Sequence, residues 1–259
     1  MVQLWERAAD SYETVLPYFG PMSERLVAVA EIQPGERILD VGCGKGGSLL
    51  PAAAATGPDG RAIGVDIVPG MVEAARFALK AAGYAHGDAV VMDGGALQFS
   101  DASFDVVICG NALAFLGMER ALAGFARVLR PGGRLLVSAP TGGGPDWDFF
   151  GRLCEEFGLA PIPLDVLPPQ EILVIHERVG LDDVQMTTDT IHFDFPDEQT
   201  WWRWAWSHGQ RWYLEQLSSD RIEEFQRRAF GYLRAIRTER GIPLEQRFMI
   251  AKATRRHAP

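Results

Sequence analysis

The 259-residue sequence predicts an α/β fold built around a mostly parallel β-sheet. Short apolar runs, which are typical of buried strands, alternate with longer segments in which apolar residues recur at helical spacing. The first strand, residues 37–41, leads into a glycine-rich turn and then a helix, and the next two strands end in Asp66 and Asp93. Repeated strand–turn–helix units predict parallel strands whose carboxyl ends meet at one edge of the sheet, where a ligand would bind.

The turn after the first strand carries the motif Asp40-Val-Gly-Cys-Gly-Lys-Gly46. Glycines are needed where the backbone turns tightly and lies against a ligand, and free N–H groups at the start of a helix favour a hydrogen-bond acceptor. Gly42, Gly44 and Gly47 also match the spacing G-x-G-x-x-G, which is a dinucleotide-binding pattern. On its own, the turn leaves the kind of nucleotide ligand open.

The elements after this turn follow in a regular order. The patterns predict helix 48–55, strand 61–66, helix 71–82, strand 89–93, strand 103–109, helix 118–129 and strand 134–138. Asp66 follows Gly47 by roughly 20 residues, the separation at which a carboxylate meets the two hydroxyls of a ribose. The alternative interpretation is that Asp66 caps the next helix.

Residues 1–33 are predicted to form lid helices. Apolar residues recur at helical spacing over residues 5–30, and Ser23 is a candidate N-cap for a second helix. These helices either only cover a sheet edge or place Tyr12 over a cofactor, since a phenol has both an apolar face and a polar tip.

The second half of the chain adds two strands and a helical insertion. The patterns predict helix 147–157, helix 169–179, strand 184–195 and a last strand at 244–254. Two helices fit between these strands, one from Asp197, a plausible cap, to about Leu217 and one from Ser219 to Arg240. The chain thus divides into a lid (1–33), a core (34–196 with 241–259) and a helical cap over the site (197–240).

Five motifs in one order resemble the class I S-adenosylmethionine (SAM)-dependent methyltransferases, in the small-molecule branch similar to ubiquinone, menaquinone and natural-product methyltransferases. The motifs are Leu39–Gly44, Asp66, Asp93 with Leu97-Gln98-Phe99, Ser103–Val107 and Arg127–Gly133. The resemblance implies a Rossmann-like seven-stranded sheet, mostly parallel with an antiparallel last strand. It also implies SAM as cofactor, S-adenosylhomocysteine (SAH) as product, and methyl transfer by proximity and alignment to an O, N or C atom of a small apolar or aromatic metabolite.

The resemblance further implies roles for individual residues. Asp40 belongs to the cofactor motif, Gly42 and Gly44 would lie against the methionine part of SAM, and Asp66 would hold the ribose hydroxyls. The other implied positions are Ile67 and Met71 beside the adenine, Asp93 on its amino group, the Gly94 N–H on the ring, and Gly110 and Asn111 at the methyl-transfer edge. Many relatives carry a histidine just after the fourth strand, but residues 111–116 contain none, which leaves the acceptor chemistry open.

The cap is rich in tryptophan. On a continuous helix, Trp201, Trp204, His208 and Trp212 fall on one stripe. The stripe is either aromatic packing within the cap or the wall of an apolar acceptor pocket. In the second case His208 faces the acceptor and orients it or takes its proton.

Composition argues against several classes of function. The net charge of −9 argues against binding of a nucleic-acid backbone, and no apolar run is long enough to predict a membrane span. We predict no signal peptide. Cys43, Cys109 and Cys154 lie far apart, which predicts reduced thiols of a cytoplasmic protein and no metal site. The expected partner is a small-molecule acceptor, and a homodimer is left open.

Two other functions stay open. An NAD-dependent oxidoreductase fits the G-x-G-x-x-G spacing, although the Asp93 motif and the Arg-Pro-Gly-Gly turn argue against it. A SAM-binding scaffold can also be repurposed as a cyclase or a binding protein, because a fold does not determine a function.

Overall fold

The computed structural model describes residues 2–144, 147–164 and 175–257. Its strands are β1 (Arg37–Val41), β2 (Arg61–Asp66), β3 (Gly87–Val91), β4 (Phe104–Gly110), β5 (Leu129–Gly143), β6 (Leu181–Phe195) and β7 (Ile242–Arg255). They form one seven-stranded sheet in the order β3-β2-β1-β4-β5-β7-β6. Strands β1 to β5 are parallel, and β7 runs antiparallel to both of its neighbours. The predicted α/β class and the antiparallel last strand are confirmed.

Helices cover both faces of this sheet. They are α1 (Val2–Ala8), α2 (Gly20–Ala30), α3 (Leu49–Thr56), α4 (Pro69–Ala81), α5 (Met118–Val128), α6 (Asp148–Glu156), α7 (Glu198–Ser207), α8 (Arg211–Leu214) and α9 (Ser219–Ala235). Successive strand residues alternate between two apolar clusters: Ile38 packs with α2, α3 and α4, and Leu39 packs with α5. Among the described helices, none has both the length and the apolar composition needed to cross a membrane.

The lid differs from its prediction in detail. Residues 9–19 form turns between α1 and α2, and α2 begins at Gly20. Ser23 is therefore not an N-cap and lies buried inside the helix. Pro21 explains the early start, because its fixed φ suits the first turn of a helix.

The first cap helix is broken where the sequence predicts continuity. Asp197 caps α7 as predicted, since its Oδ1 accepts from the Thr200 N–H at 2.7 Å. The helix then stops at His208, whose backbone is extended at φ −130° and ψ −167°. The second cap helix also ends before its predicted limit, at Ala235.

The segment predicted as helix 169–179 falls partly outside the described residues. Residues 175–178 are helical, and 169–174 lie outside the described ranges.

Candidate cofactor and acceptor site

One large cavity opens at the carboxyl ends of the parallel strands, with a volume of about 1620 Å³. Its walls come from the glycine turn, the lid, α6, the cap and β7. A pocket for a single small ligand measures roughly 300–1,000 Å³. The cavity therefore has room for a cofactor and an acceptor together.

The glycine turn forms one end of this cavity. Gly42 and Gly44 have φ values of 72° and 51°, in the left-handed region. A Cβ on Gly42 would lie 2.4 Å from the Cβ of Ala112, so no side chain fits there. The turn is tied to β2 by Asp66, whose Oδ2 accepts from the Gly44 N–H and whose Oδ1 accepts from the Val68 N–H, both at 2.9 Å.

Two carboxyl groups are buried together at this end. Asp40 is 1% exposed, and its Oδ2 has no hydrogen-bond partner among the described residues. Burial and the nearby Asp66 charge raise the pKa of Asp40 to about 8. Burial also raises the pKa of Asp66 above its usual range. An unsatisfied buried carboxyl suits a ligand that donates a hydrogen bond or carries positive charge.

The next strand ends continue the same wall. Asp93 Oδ1 accepts from the Gly95 N–H at 2.8 Å, and Arg120 Nη2 lies 3.5 Å from its Oδ2. Ile67 is 44% exposed and presents an apolar surface beside these acids. The sequence analysis missed Arg120, which reaches Asp93 from α5.

All of the predicted cofactor residues line this one cavity: Tyr12, Asp40, Gly42, Gly44, Asp66, Ile67, Met71, Asp93, Gly94, Gly110 and Asn111. The acids suit the ammonium, ribose and adenine donors of SAM, and the glycine turn leaves room for a ligand against the backbone. The residues present therefore fit SAM. The Lys45 ammonium does not compete with a cationic ligand, since its Nζ donates to the Tyr12 carbonyl at 3.0 Å.

A Glu13–His208 pair also lines the cavity. His208 Nε2 lies 2.9 Å from Glu13 Oε1, and its Nδ1 lies 2.8 Å from Ser207 Oγ and 3.1 Å from the Trp204 carbonyl oxygen. The pair joins the lid to the cap.

Aromatic rings enclose the His208 imidazole. Trp204 stacks on it at 5.0 Å between centroids, and the other rings within 6 Å belong to Tyr12, Tyr18 and Phe19. Glu13 is held in turn, because its Oε2 accepts from the Phe19 N–H at 3.0 Å. The sequence analysis missed Glu13, which lies 195 residues from its partner. Its positive φ of 58° is invisible in the sequence.

The structure divides the residues of the predicted tryptophan stripe between its two interpretations, packing within the cap and the wall of a pocket. Trp204 and His208 line the cavity, but Trp201 and Trp212 lie away from it. Trp201 packs in the core against the rings of Phe149 and Phe150. Trp212 turns outward, and its Nε1 donates to the Ala160 carbonyl at 3.0 Å. The break at His208 separates the two halves of the stripe.

Apolar side chains make up most of the remaining wall at this end: Phe150, Cys154, Leu159, Ile162, Leu164, Tyr213 and Met249. They come from α6, residues 159–164, α8 and β7. The second cap helix, α9, contributes no described residue to the lining and packs instead behind α6 and α7. The arrangement suits a largely apolar ligand.

Comparisons with known proteins agree with this geometry. A family profile described as "Methyltransferase domain" matches residues 38–133. Nocamycin O-methyltransferase of Saccharothrix syringae is 28% identical over 246 residues, which cover 84% of this chain and 85% of that protein. Aklanonic acid methyltransferase of Streptomyces sp. (strain C5) is 37% identical over 143 residues, which cover 54% of this chain and 65% of that protein.

A solved structure extends the likeness in fold over most of the chain. The YcgJ protein from Bacillus subtilis superposes with a TM-score of 0.63 at 20% identity, over 92% of this chain and 100% of that chain. At this identity the likeness concerns the fold alone. Together with the ordered motifs, these findings show that residues 38–133 form a methyltransferase domain and that the chain is similar to methyltransferases whose names give small-molecule acceptors.

Proposed function

We propose that this enzyme methylates a small, largely apolar or aromatic acceptor bound between the lid, α6 and the cap. The observation that carries this proposal is the single cavity, which joins the glycine turn and its acids to an apolar end. When bound, SAM supplies an electrophilic methyl group on a sulfonium. The protein has to bind the cofactor and the acceptor, align them and keep water out of the site, because proximity and orientation supply much of the rate enhancement.

Asp66, Asp93 and the glycine turn position the cofactor in this proposal. Each Asp66 carboxylate oxygen uses one lone pair to accept a hydrogen bond from a backbone N–H. One lone pair on each oxygen is left for the two ribose hydroxyls. Asp93 can likewise accept a hydrogen bond from the adenine amino group. Ile67 and Met71 would pack beside the adenine ring. Gly110 and Asn111, at the end of β4, face the methyl-transfer edge.

His208 is the group that orients the acceptor or receives its proton. It is 2% exposed and lines the cavity, and its Nε2 reaches the acceptor when the acceptor replaces Glu13 Oε1 as the hydrogen-bond partner. The lid contributes Glu13 and Tyr12, so closure of the lid completes this end of the site. Lid, core and cap thereby act as three parts of one site.

The names of both relatives describe small-molecule methyltransferases. On that ground we propose that the acceptor of this protein is also a small molecule. The cavity's apolar wall supports it. A cytoplasmic location, the absence of nucleic-acid partners and a homodimer stay predictions.

The decisive experiment combines calorimetry with label transfer. SAM and SAH should bind at about micromolar strength, whereas NAD should not bind. Incubation with methyl-labelled SAM and a native small-molecule extract should label one metabolite with a mass gain of one methylene. Binding of NAD in place of SAM would point to the oxidoreductase. Product formation without transfer of label would point to a cyclase.

A further inference from the structure

Buried polar atoms without partners are concentrated around the cavity. Among the described residues five such side-chain atoms occur: Asp40 Oδ2, Asn111 Oδ1, Ser138 Oγ, Trp201 Nε1 and Trp204 Nε1. All of these residues except Trp201 line the cavity. A buried polar group without a partner costs about 1–3 kcal/mol. A ligand that supplies the missing partners would remove this cost.

Ser138 and Asn111 lie side by side on neighbouring strands. Ser138 on β5 pairs in register with Gly110 on β4, and the Asn111 N–H donates to the Ser138 carbonyl at 2.9 Å. Ser138 Oγ lies 3.9 Å from where a Cβ on Gly110 would stand. Asn111 has a φ of 57°, a costly conformation for a non-glycine residue that is common at ligand sites.

The position of Ser138 separates it from the adenosine-binding acids. Asp66 ends β2, and β1 and β4 lie between β2 and β5. At about 4.8 Å per strand, Ser138 lies roughly 14 Å from that end of the site. Its neighbour on the other side is β7, whose Gln246 and Met249 line the acceptor end.

We propose that Ser138 Oγ and Asn111 Oδ1 bind the polar group of the acceptor that receives the methyl, and that Ser138 determines specificity for it. An amide oxygen only accepts a hydrogen bond, whereas a hydroxyl donates or accepts. A ligand group that satisfies both atoms must therefore donate a hydrogen bond to Asn111 Oδ1 and either donate one to Ser138 Oγ or accept one from it. A neutral hydroxyl or amine does this, and an unsubstituted aromatic carbon does not. This inference rests on the proposed function.

The test compares two probes of one shape on SAH-loaded protein. Equilibrium dialysis measures the dissociation constants of 2-naphthol and naphthalene for the unaltered protein, Ser138→Ala and Ser138→Thr. We expect a preference for 2-naphthol of about tenfold, which corresponds to about 1.4 kcal/mol. Ser138→Ala should lower the preference, because only Asn111 Oδ1 then contacts the polar group, and Ser138→Thr, which keeps the hydroxyl, should retain it. SAH affinity should stay within about twofold throughout.

Three results would overturn the inference. An unchanged preference in Ser138→Ala would show that the hydroxyl does not contact the acceptor. A loss of SAH affinity with the preference intact would assign Ser138 to the cofactor. Binding of neither probe to protein that still binds SAH would contradict the acceptor class and leave SAM-dependent transfer standing.

Discussion

Asp40 is the residue whose environment most changes its chemistry. It is the residue before the last of β1, is 1% exposed and lies near the charge of Asp66. Its pKa of about 8, against an ordinary value of 3.8, means that the folded protein binds this proton more tightly than the unfolded chain. The resulting stabilisation is complete below about pH 4 and is lost as the pH rises through 8.

The Asp40→Asn substitution should remove this dependence. In ligand-free protein, the ionisation of Asp40 should lower the free energy of unfolding by about 1.4 kcal/mol for each unit by which the pH rises between 6 and 8. Urea unfolding at several pH values measures this slope. The exposed Asp59→Asn serves as the control and should keep the original slope. Equal slopes in Asp40→Asn and the unaltered protein would contradict the prediction.

Gly42 allows a second test at the same turn. Gly42→Ala should abolish SAH binding, because the new Cβ would meet Ala112 at 2.4 Å and displace the turn. Gly57→Ala is the matched control, since Gly57 also has a positive φ, of 67°, but a Cβ there meets nothing within 4 Å. Both variants should lose about 1–3 kcal/mol of stability from backbone strain. Calorimetry should show lost SAH affinity in Gly42→Ala alone.

His208 is tested by its removal. His208→Ala should lower turnover about 100-fold, the usual contribution of one acid–base group, while SAH affinity stays unchanged. His192→Ala, an exposed position on β6, is the control. The measurement is the steady-state rate of label transfer to the metabolite found in the extract, from pH 6 to pH 9. Unchanged turnover across that range would exclude a role in the reaction.

Local sequence motifs predict the positions of some of these residues but not of others. Asp40, Gly42 and Asp66 lie within one strand–turn–helix unit or at the end of the next strand, so chain order and spacing suffice to place them. Glu13 meets His208 only through the folding of the lid onto the cap, and no local pattern encodes a contact between positions so far apart. The sequence therefore predicts the cofactor end better than the acceptor end.

At the scale of elements, the break between α7 and α8 decides what the cap presents. Apolar spacing continues through the break, which is why the sequence suggests one helix. The His208 Nδ1 instead contacts Ser207 Oγ and the Trp204 carbonyl, and the chain leaves the helix there. The lid docks against this break through His208 and also against α8, where Arg7 and Arg211 share the Glu215 carboxylate.

The contact between Glu13 of the lid and His208 at the break between α7 and α8 should control the opening of the lid. Glu13→Gln removes a charge that accepts hydrogen bonds from two parts of the structure. The loss of about 1.5 kcal/mol should raise amide hydrogen exchange in residues 9–19 roughly tenfold. Glu24→Gln, exposed on α2, should leave this exchange unchanged. An equal rise across β1 would indicate global destabilisation instead.

At the scale of the whole molecule, the cavity collects acidic groups from distant parts of the chain: Glu13, Asp40, Asp66, Asp93 and Glu155. Among the described lining residues Lys45 is the one lysine or arginine, and it is bound to the Tyr12 carbonyl. The residues outside the described ranges contain no lysine or arginine in their sequence. This charge distribution favours neutral acceptors over phosphorylated ones.

The charge distribution predicts discrimination between probes of one carbon skeleton. On SAH-loaded protein, 2-naphthyl phosphate should bind at least about tenfold more weakly than 2-naphthol, because the acids among the described lining residues outnumber Lys45 and repel the phosphate. Equilibrium dialysis at two salt concentrations measures both constants. Tighter binding of the phosphate would contradict the assignment of a neutral acceptor.

The position of β7 has a consequence for the order in which the site is made. β7 follows the other six described strands in the chain, yet it lies inside the sheet, between β5 and β6. Asp40, Asp66 and Asp93, which lie in or just after β1, β2 and β3, are translated long before it. Gln246, which accepts a hydrogen bond from the Tyr18 hydroxyl, arrives only with β7. A nascent chain halted before residue 242 would carry every acid proposed to face the nucleotide but would lack the β7 wall of the cavity, so the proposed cofactor and acceptor parts of the site are synthesised one after the other.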